Sequence, residues 1–396
     1  MKKTTKKLMT VFSAVAATMM LAGCSVAKNS SKGTKQDDKT VKIGMNMELS
    51  GATAGYGNAE KNGIDLAVSE INQAGGINVN GHKKKIKLIT RDNKSSNTTS
   101  ASVAAQLVNK DKVAVVVGPA TTNAATAEIP NVTKASVVGL SPSATDPNYT
   151  LQKNGKVQPF VFRACFQDNF QGTSAAKFAD DTLHAKRVAI YADNSSDYGT
   201  GLAKAFKKTF KGKVVDMQNY SAGDKDFNAV LTSFKAKKVD AIYVAGYYTE
   251  AGLIVKQARQ MGIKVPILGG DGMADPKFVQ IAGQSATNIY YTTPFSNSAA
   301  TKNPVALKFM KAYKARYNEA APTFSALAYD AVYMVKAAIE SEKSDDSVKI
   351  ADGLAKLKDF PGVSGKITMN KTHDPEMPIT MVKLVNGKIN KAFSVK

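Results

Sequence analysis

The sequence predicts an α/β protein made of two doubly wound domains with a cleft between them. Strand-like and helix-like stretches alternate from Val41 onward, the rhythm of a parallel sheet covered by helices. After Phe160 the rhythm passes into a second set of the same style, and 396 residues are enough for two cores. Two similar domains in one chain imply a cleft, and such clefts are favoured ligand sites.

The first set opens with the strand "VKIGMNMEL" and the glycine-rich turn "SGATAGYG". "NAEKNGIDLAVSEINQAGG" is helical, with Ile64, Ala67, Val68 and Ile71 on one face and Gly75-Gly76 as its stop. "KIKLITRDN" reads as a strand and "TTSASVAAQLVNKD" as a helix. "VAVVVGP" is apolar on both faces, as a strand inside a parallel sheet is. The helix "TTNAATAEIPNVTKA" and the strand "SVVGLSP" complete the set. "FVFRACFQDNFQGTSAAKFADDTL" then leads into the second set through a helix predicted from Gln171 to Leu183. The strands "RVAIYAD", "KVVDMQNY", "VDAIYVAG" and "VPILGGDG" follow, separated by the helices "YGTGLAKAFKKTF", "DFNAVLTSFKAKK" and "EAGLIVKQARQMG". After the strand "NIYYTTPF" comes one long helical region from Pro304 to Glu342, then a short helix near Asp345 to Lys358. The tail reads as paired strands closed by an Asn386-Gly387 turn.

The formal net charge is +22, from 54 Lys+Arg against 32 Asp+Glu. The excess is scattered lysine, tryptophan is absent, and no basic stretch alternates with aromatics. Nucleic-acid readers rely on arginine forks and stacking platforms, so nucleic acid is not an expected partner. A basic surface suits work beside an anionic envelope or lipid headgroups.

"MKKTTKKLMTVFSAVAATMMLAGC" has a lysine-rich start and an apolar run from Leu8 to Leu21, short for a membrane span and typical of a secretory signal. Its Leu21-Ala22-Gly23-Cys24 ending resembles the bacterial lipoprotein signal. That resemblance implies a signal peptide over 1–23, lipid on Cys24 and an extracytoplasmic chain anchored to the cell membrane. Residues 24–40, polar and poor in apolar side chains, read as a flexible tether. Cys165 is the other cysteine. With Cys24 committed to lipid, core burial rather than a disulfide must hold the fold.

In open α/β sheets ligands bind beyond the carboxyl ends of the strands. On the first domain those ends carry Ser50 to Gly57 with Tyr56, then Thr121-Thr122 at a helix start, then "SPSAT" from Ser141 to Thr145. Small hydroxyls, backbone N–H groups and a helix N-terminus suit a carboxylate. The second domain offers Tyr198, Glu250 in "GYYTEAG" and Asp271 in "GGDG", and its acids suit a cation. An anion receptor opposite a cation receptor fits a zwitterion such as a free α-amino acid. Each residue also has an ordinary role: Thr122 as a helix cap, "SPSAT" as a proline turn, Glu250 as a partner of its own helix dipole.

From Val41 to Lys396 the chain resembles the leucine/isoleucine/valine-binding proteins, the branched-chain amino acid receptors of bacterial ABC importers. The marks include "AEKNGIDLAVSEINQAGGI", "VVGPATTNA", "SPSATDP", "FRACFQDNFQG", "DYGTGLAKAF", "GDKDFNAVL", "AGYYTEAGLIVKQARQMG" and "YDAVYMVKAAI". The resemblance implies a type I periplasmic-binding-protein fold, two Rossmann-like lobes joined by a three-segment hinge. The lobes would be 41–163 with 294–379, and 164–293 with 380–396. It implies that Thr122, Ser143, Thr145 and the backbone at Ala144 hold the ligand carboxylate and that Glu250 takes the ammonium. Tyr56, Tyr198 and Phe324 would line the side-chain pocket, with Phe170 and Tyr247 as further candidates. One of Tyr247 and Tyr248 would face the ligand. The implied partners are a branched-chain amino acid and the membrane subunits of an ABC permease.

Other chemistry finds little support. His82, His184 and His373 are far apart and show no metal spacing, so no metal is expected. There is no nucleophile elbow or P-loop, and "GATAGYG" lacks a nucleotide site's lysine and acidic ribose partner, so no cofactor is expected. Cys165 has no paired base in its sequence context, which argues against an enzyme. The alternatives left are a receptor of the same fold for another small solute and a sensory module working through a partner.

Overall fold

The structure, a computed structural model, describes residues 33–395. The signal segment, Cys24 and the first part of the tether lie outside the described residues. Ten strands and eight helices arise in the alternating region: β1 (Thr40–Met47), α1 (Ala54–Gln73), β2 (Ile77–Val79), β3 (His82–Asp92), α2 (Asn97–Gln106), β4 (Val115–Val117), α3 (Thr122–Ala135), β5 (Val138–Ser141), β6 (Val161–Arg163), α4 (Asp168–Asp181), β7 (Arg187–Asp193), α5 (Asp197–Thr209), β8 (Lys213–Tyr220), α6 (Asn228–Ala236), β9 (Ala241–Ala245), α7 (Tyr248–Gln260), β10 (Ile267–Gly269) and α8 (Pro276–Ala282). Then come β11 (Ile289–Thr293), α9 (Pro304–Tyr317), α10 (Thr323–Glu342), α11 (Ser347–Ala355), β12 (Phe360–Gly362), β13 (Gly365–Met369), β14 (Pro375–Glu376), β15 (Ile379–Val385) and β16 (Lys388–Val395).

The strands form two large sheets and one small one. The first sheet has the order β2-β3-β1-β4-β5-β6 and the second β16-β15-β11-β10-β9-β7-β8. Within each, the parallel strands run in the same order, second-first-third-fourth-fifth, as β3-β1-β4-β5-β6 and β8-β7-β9-β10-β11. Strand order therefore reverses between β1 and β4, and again between β7 and β9. Such switch points open a crevice at the carboxyl edge of a sheet. All five residues of β9 and all three of β4 are buried, because helices cover both faces. Helices α10 and α11 return to the first sheet, packing on α1, β4 and β5. The long helices α1 and α10 approach closely at Gly63, where a methyl group would collide with the Ser325 carbonyl.

The chain crosses between the sheets after β6, after β11 and before β15. Two of these crossings are tied by Arg163, which is fully buried and pairs with Asp374 at 2.7 Å. The same guanidinium donates to the carbonyls of Ala144 (2.9 Å) and Asp146 (2.6 Å), fixing the loop after β5. Gln167 also donates to Asp374, at 2.7 Å.

Three expectations change. The helical region from Pro304 to Glu342 is two helices, because Asn318 adopts a left-handed conformation (φ 56°) and Pro322 stands just before α10. A short hairpin, β2–β3, turns at Asn80-Gly81, both at positive φ, just before the expected strand. The tether is not free up to Thr40. Thr34 N–H donates to Ser347 Oγ (2.9 Å), Gln36 is buried and bonds Lys112 O (3.2 Å), and Lys84 Nζ reaches Asp37 O (2.7 Å). These backbone and side-chain groups find donors and acceptors on the body, so the segment docks rather than dangles.

Candidate functional site

A narrow cavity with room for about 20 Å³ of water-sized sphere centres lies between the carboxyl edges of the two sheets. That is room for about one water molecule, so the wall side chains nearly fill the site and must part to admit a ligand. Tyr56, Thr121, Thr122, Ser143, Thr145 and Phe324 line it from the first-sheet side, with the backbone of Ala120. Tyr198, Tyr247, Asp271 and Gly272 line it from the second. These residues meet because they follow strand ends or open helices on the edges of the two sheets that face each other.

The first-sheet side offers neutral donors. Helix α3 starts at Thr122 without a side-chain cap, leaving first-turn N–H groups for an anion. Thr121 is already committed: its N–H (3.1 Å) and hydroxyl (2.7 Å), with Ala120 N–H (3.0 Å), donate to the buried Glu48. Thr122 Oγ1 accepts from Thr145 N–H at 3.2 Å, which joins the two loops.

The second-sheet side is acidic and aromatic. Asp271 opens a short 3₁₀ turn, Asp271–Met273, after β10. Its Oδ1 accepts from the Tyr198 hydroxyl (2.8 Å), while its Oδ2 is buried without a partner among the described residues. Burial pushes the Asp271 carboxyl up to about 6, against the hydrogen bond from Tyr198. Asp168, the first residue of α4, is fully buried with both oxygens unpartnered, and its N–H donates to Thr145 O at 2.9 Å. Burial, with Asp271's charge in support, holds its carboxyl well above the usual range. Asp271, with one oxygen unpartnered, is the acid that the cavity wall presents to a cation; Asp168 does not line the cavity. Tyr198 and Tyr247 stack 5.0 Å apart, and Tyr56 packs on Tyr247 and Phe324 at 5.7 and 4.7 Å, giving the apolar wall.

Tyr56, Thr122, Ser143, Thr145, Tyr198, Tyr247, Asp271 and Phe324 are thus brought together. Three expected residues are not. Glu250 is not among the residues lining the cavity: it sits in the first turn of α7, and one of its oxygens, Oε1, accepts from Gly223 N–H at 2.9 Å. Ala144 N–H donates to Ser141 Oγ at 2.9 Å and is not available to a ligand. Phe170 is 39% exposed and packs edge-on against Phe166. Of the tyrosine pair, Tyr247 faces the cavity, while Tyr248 bonds across to Gly55 and Ala52. Asp168 was missed; an acid directly after the crossing in "FQDNFQG" is the signal that pointed to it, though it also reads as ordinary helix-start chemistry. Among the described residues no group of three or more His, Cys, Asp or Glu is arranged to hold a metal, and no helix is long and apolar enough to cross a membrane.

Residues 40–388 match the family model described as periplasmic binding protein. The Leu/Ile/Val-binding protein BraC3 of Rhizobium johnstonii is 35% identical over 354 residues, covering 88% of this chain and 93% of the relative. Among solved structures, the branched-chain amino acid transporter substrate binding protein LivJ of Streptococcus pneumoniae, in complex with isoleucine, is 46% identical with a TM-score of 0.85, covering 90% of this chain and 99% of the other. The leucine binding protein LivK of Thermotoga maritima is 32% identical with a TM-score of 0.83, over 90% and 98%.

Proposed function

Because the chain belongs to the periplasmic binding protein family and carries its type I α/β fold, we propose that it is the extracytoplasmic receptor of an ABC importer for branched-chain amino acids. The observation that carries this reading is a rim of neutral hydroxyl and N–H donors facing an unpartnered, buried Asp271 across a small aromatic-walled cavity. Thr122, Ser143, Thr145 and the start of α3 take the ligand carboxylate. Asp271, with Asp168 behind it, takes the ammonium, the role first expected of Glu250. Tyr56, Tyr198, Tyr247 and Phe324 enclose the aliphatic side chain. The isoleucine named for the Streptococcus pneumoniae relative and the Leu/Ile/Val names of the others support this ligand class.

The chemistry is binding, without turnover. Ligand contacts from both lobes exist together only when the lobes are closed, so binding shifts the chain toward the closed form that a permease receives. The crossings after Arg163, after Thr293 and before Ile379 form the hinge. Cys24 carries the lipid that keeps the receptor at the cell membrane.

Calorimetric titration with isoleucine, leucine, valine and alanine tests the reading. Saturable heat with the branched-chain ligands is expected, and recovery of the ligand unaltered separates receptor from enzyme. No heat with any amino acid, together with heat from a carboxylic acid lacking an amino group, would reject the ligand class. Such an acid would leave Asp271 buried without a cation, which the geometry disfavours.

A further inference from the structure

Beneath the hydroxyl rim lies a carboxyl group with no task in the binding scheme above. Glu60, in the middle of α1, is fully buried. Its Oε1 is hydrogen-bonded to the Ser143 hydroxyl, and its Oε2 has no partner among the described residues. Ser143 Oγ also lies 2.9 Å from the Ala120 carbonyl.

The proton count of this chain decides its state. An ionised carboxylate and a backbone carbonyl are both pure acceptors, and a serine hydroxyl has one proton. With Glu60 ionised, two acceptors compete for that proton and the loser is left unsatisfied in a buried site. With Glu60 neutral, every contact has a proton: Glu60 donates to Ser143, and Ser143 donates onward to Ala120 O.

The surroundings favour the second arrangement. Burial first, and then the charge of Glu48 at the carboxyl end of β1, push the Glu60 carboxyl well above its ordinary range; only the Ser143 hydrogen bond pulls the other way. Cys165, beside the first crossing, is buried, and burial pushes its thiol well up, so it brings no counter-charge to Glu60. The guanidinium of Arg163 is engaged with Asp374, Ala144 and Asp146.

We propose that Glu60 is a neutral acid and a positioning residue for ligand capture, donating its proton to Ser143 so that the Ser143 hydroxyl is free to turn to a ligand carboxylate. The inference rests on the reading of this cavity as an amino-acid carboxylate site. An ionised Glu60 would fail twice. It would claim the Ser143 proton for itself, and it would set a like charge beneath the incoming anion.

Glu60→Gln keeps a neutral donor in place, and Glu60→Ala removes it. Isoleucine affinity within about threefold of wild type is expected for Glu60→Gln, and a fall of roughly tenfold or more for Glu60→Ala. Equal losses in the two variants overturn the proposal. Infrared spectroscopy reads the proton directly: the wild-type minus Glu60→Gln difference spectrum at neutral pH should contain the carbonyl stretch of a neutral carboxylic acid, and carboxylate bands in its place overturn the proposal. This spectrum needs no ligand, so it still decides the state of Glu60 if wild-type protein fails to bind isoleucine, a result that would sink the amino-acid reading instead. Should Glu60→Gln not fold, Ser143→Ala serves: loss of the acceptor should shift the acid carbonyl band, whereas a shift confined to carboxylate bands overturns the proposal.

Discussion

Tyr248 N–H donates to the Tyr56 hydroxyl across the cleft, and each of the two hydroxyls grips the backbone of the opposite lobe. Tyr56 OH donates to Gly272 O (2.6 Å) and accepts from Tyr248 N–H (3.1 Å). Tyr248 OH donates to Ala52 O (2.9 Å) and accepts from Gly55 N–H (3.0 Å). The rings meet edge to face at 4.8 Å. Tyr56 also touches the cavity, but Tyr248 does not, so Tyr248 isolates closure from ligand contact.

Tyr248→Phe removes two interlobe hydrogen bonds worth about 0.5–1.5 kcal/mol each. Isoleucine affinity should fall roughly fivefold to a hundredfold, through faster release, with the preference among isoleucine, leucine and valine unchanged. Stopped-flow release and calorimetry check both parts. A changed preference with an unchanged release rate would place Tyr248 in the ligand pocket instead.

Asp271 and Glu250 should separate cleanly. Asp271→Asn leaves a buried ammonium unpaired, which costs about 2–5 kcal/mol of binding. Glu250→Gln touches only the Gly223 contact and the helix start, so affinity should change by less than about 1 kcal/mol. Titration of both variants with isoleucine decides between them, and the reverse ranking would return the ammonium to Glu250.

Binding should weaken in acid. The Asp271 carboxyl is held up to about 6 in the empty cavity, and an ammonium requires it ionised. Below that pH a proton must leave before the ligand is held, so affinity should drop toward tenfold per pH unit, and it should level off above about pH 7. Calorimetry from pH 5 to 8 measures this. A flat profile in wild type, identical to Asp271→Asn, would remove Asp271 from the ammonium site.

Arg163→Met should destabilise the fold by about 3–5 kcal/mol, because it leaves Asp374 buried without its cation and frees the Ala144–Asp146 loop. Urea denaturation reads the loss. The double variant Arg163→Met with Asp374→Leu should recover part of it, since no charge is then stranded.

The site was legible to the extent that strand ends were legible. "VAVVVGP" and "VDAIYVAG" are apolar on both faces, so the residues that follow them sit at the carboxyl edge; Thr122 and Tyr247 are placed by that logic, and Ser143, Thr145, Tyr198 and Asp271 by its repetition. The same logic brought Glu250 to the edge and then had no means to aim it, while Phe170 was implied by the resemblance alone. Glu250 is held by Gly223 from a loop far upstream, and Phe170 finds Phe166. Asp168 was obscured because an acid at a helix start is ordinary, and only its lack of any partner marks it. The break at Asn318 to Pro322 and the Asn80-Gly81 turn used familiar punctuation, yet the helical pattern on either side of the first and the lysine run after the second masked them.

On the proposal that Cys24 carries lipid, the docking of Thr34 to Asp37 on the body shortens the line by which the chain would be moored. From the proposed anchor at Cys24, nine residue steps lead to Gly33, about 30 Å at full stretch, where a free segment to Thr40 would have allowed about 55 Å. A mooring that short would confine the proposed search for a permease to a thin layer over the bilayer, making encounter a matter of lateral drift rather than of diffusion through the volume outside. Lengthening the segment before Gly33 should therefore slow delivery while leaving the affinity for ligand untouched.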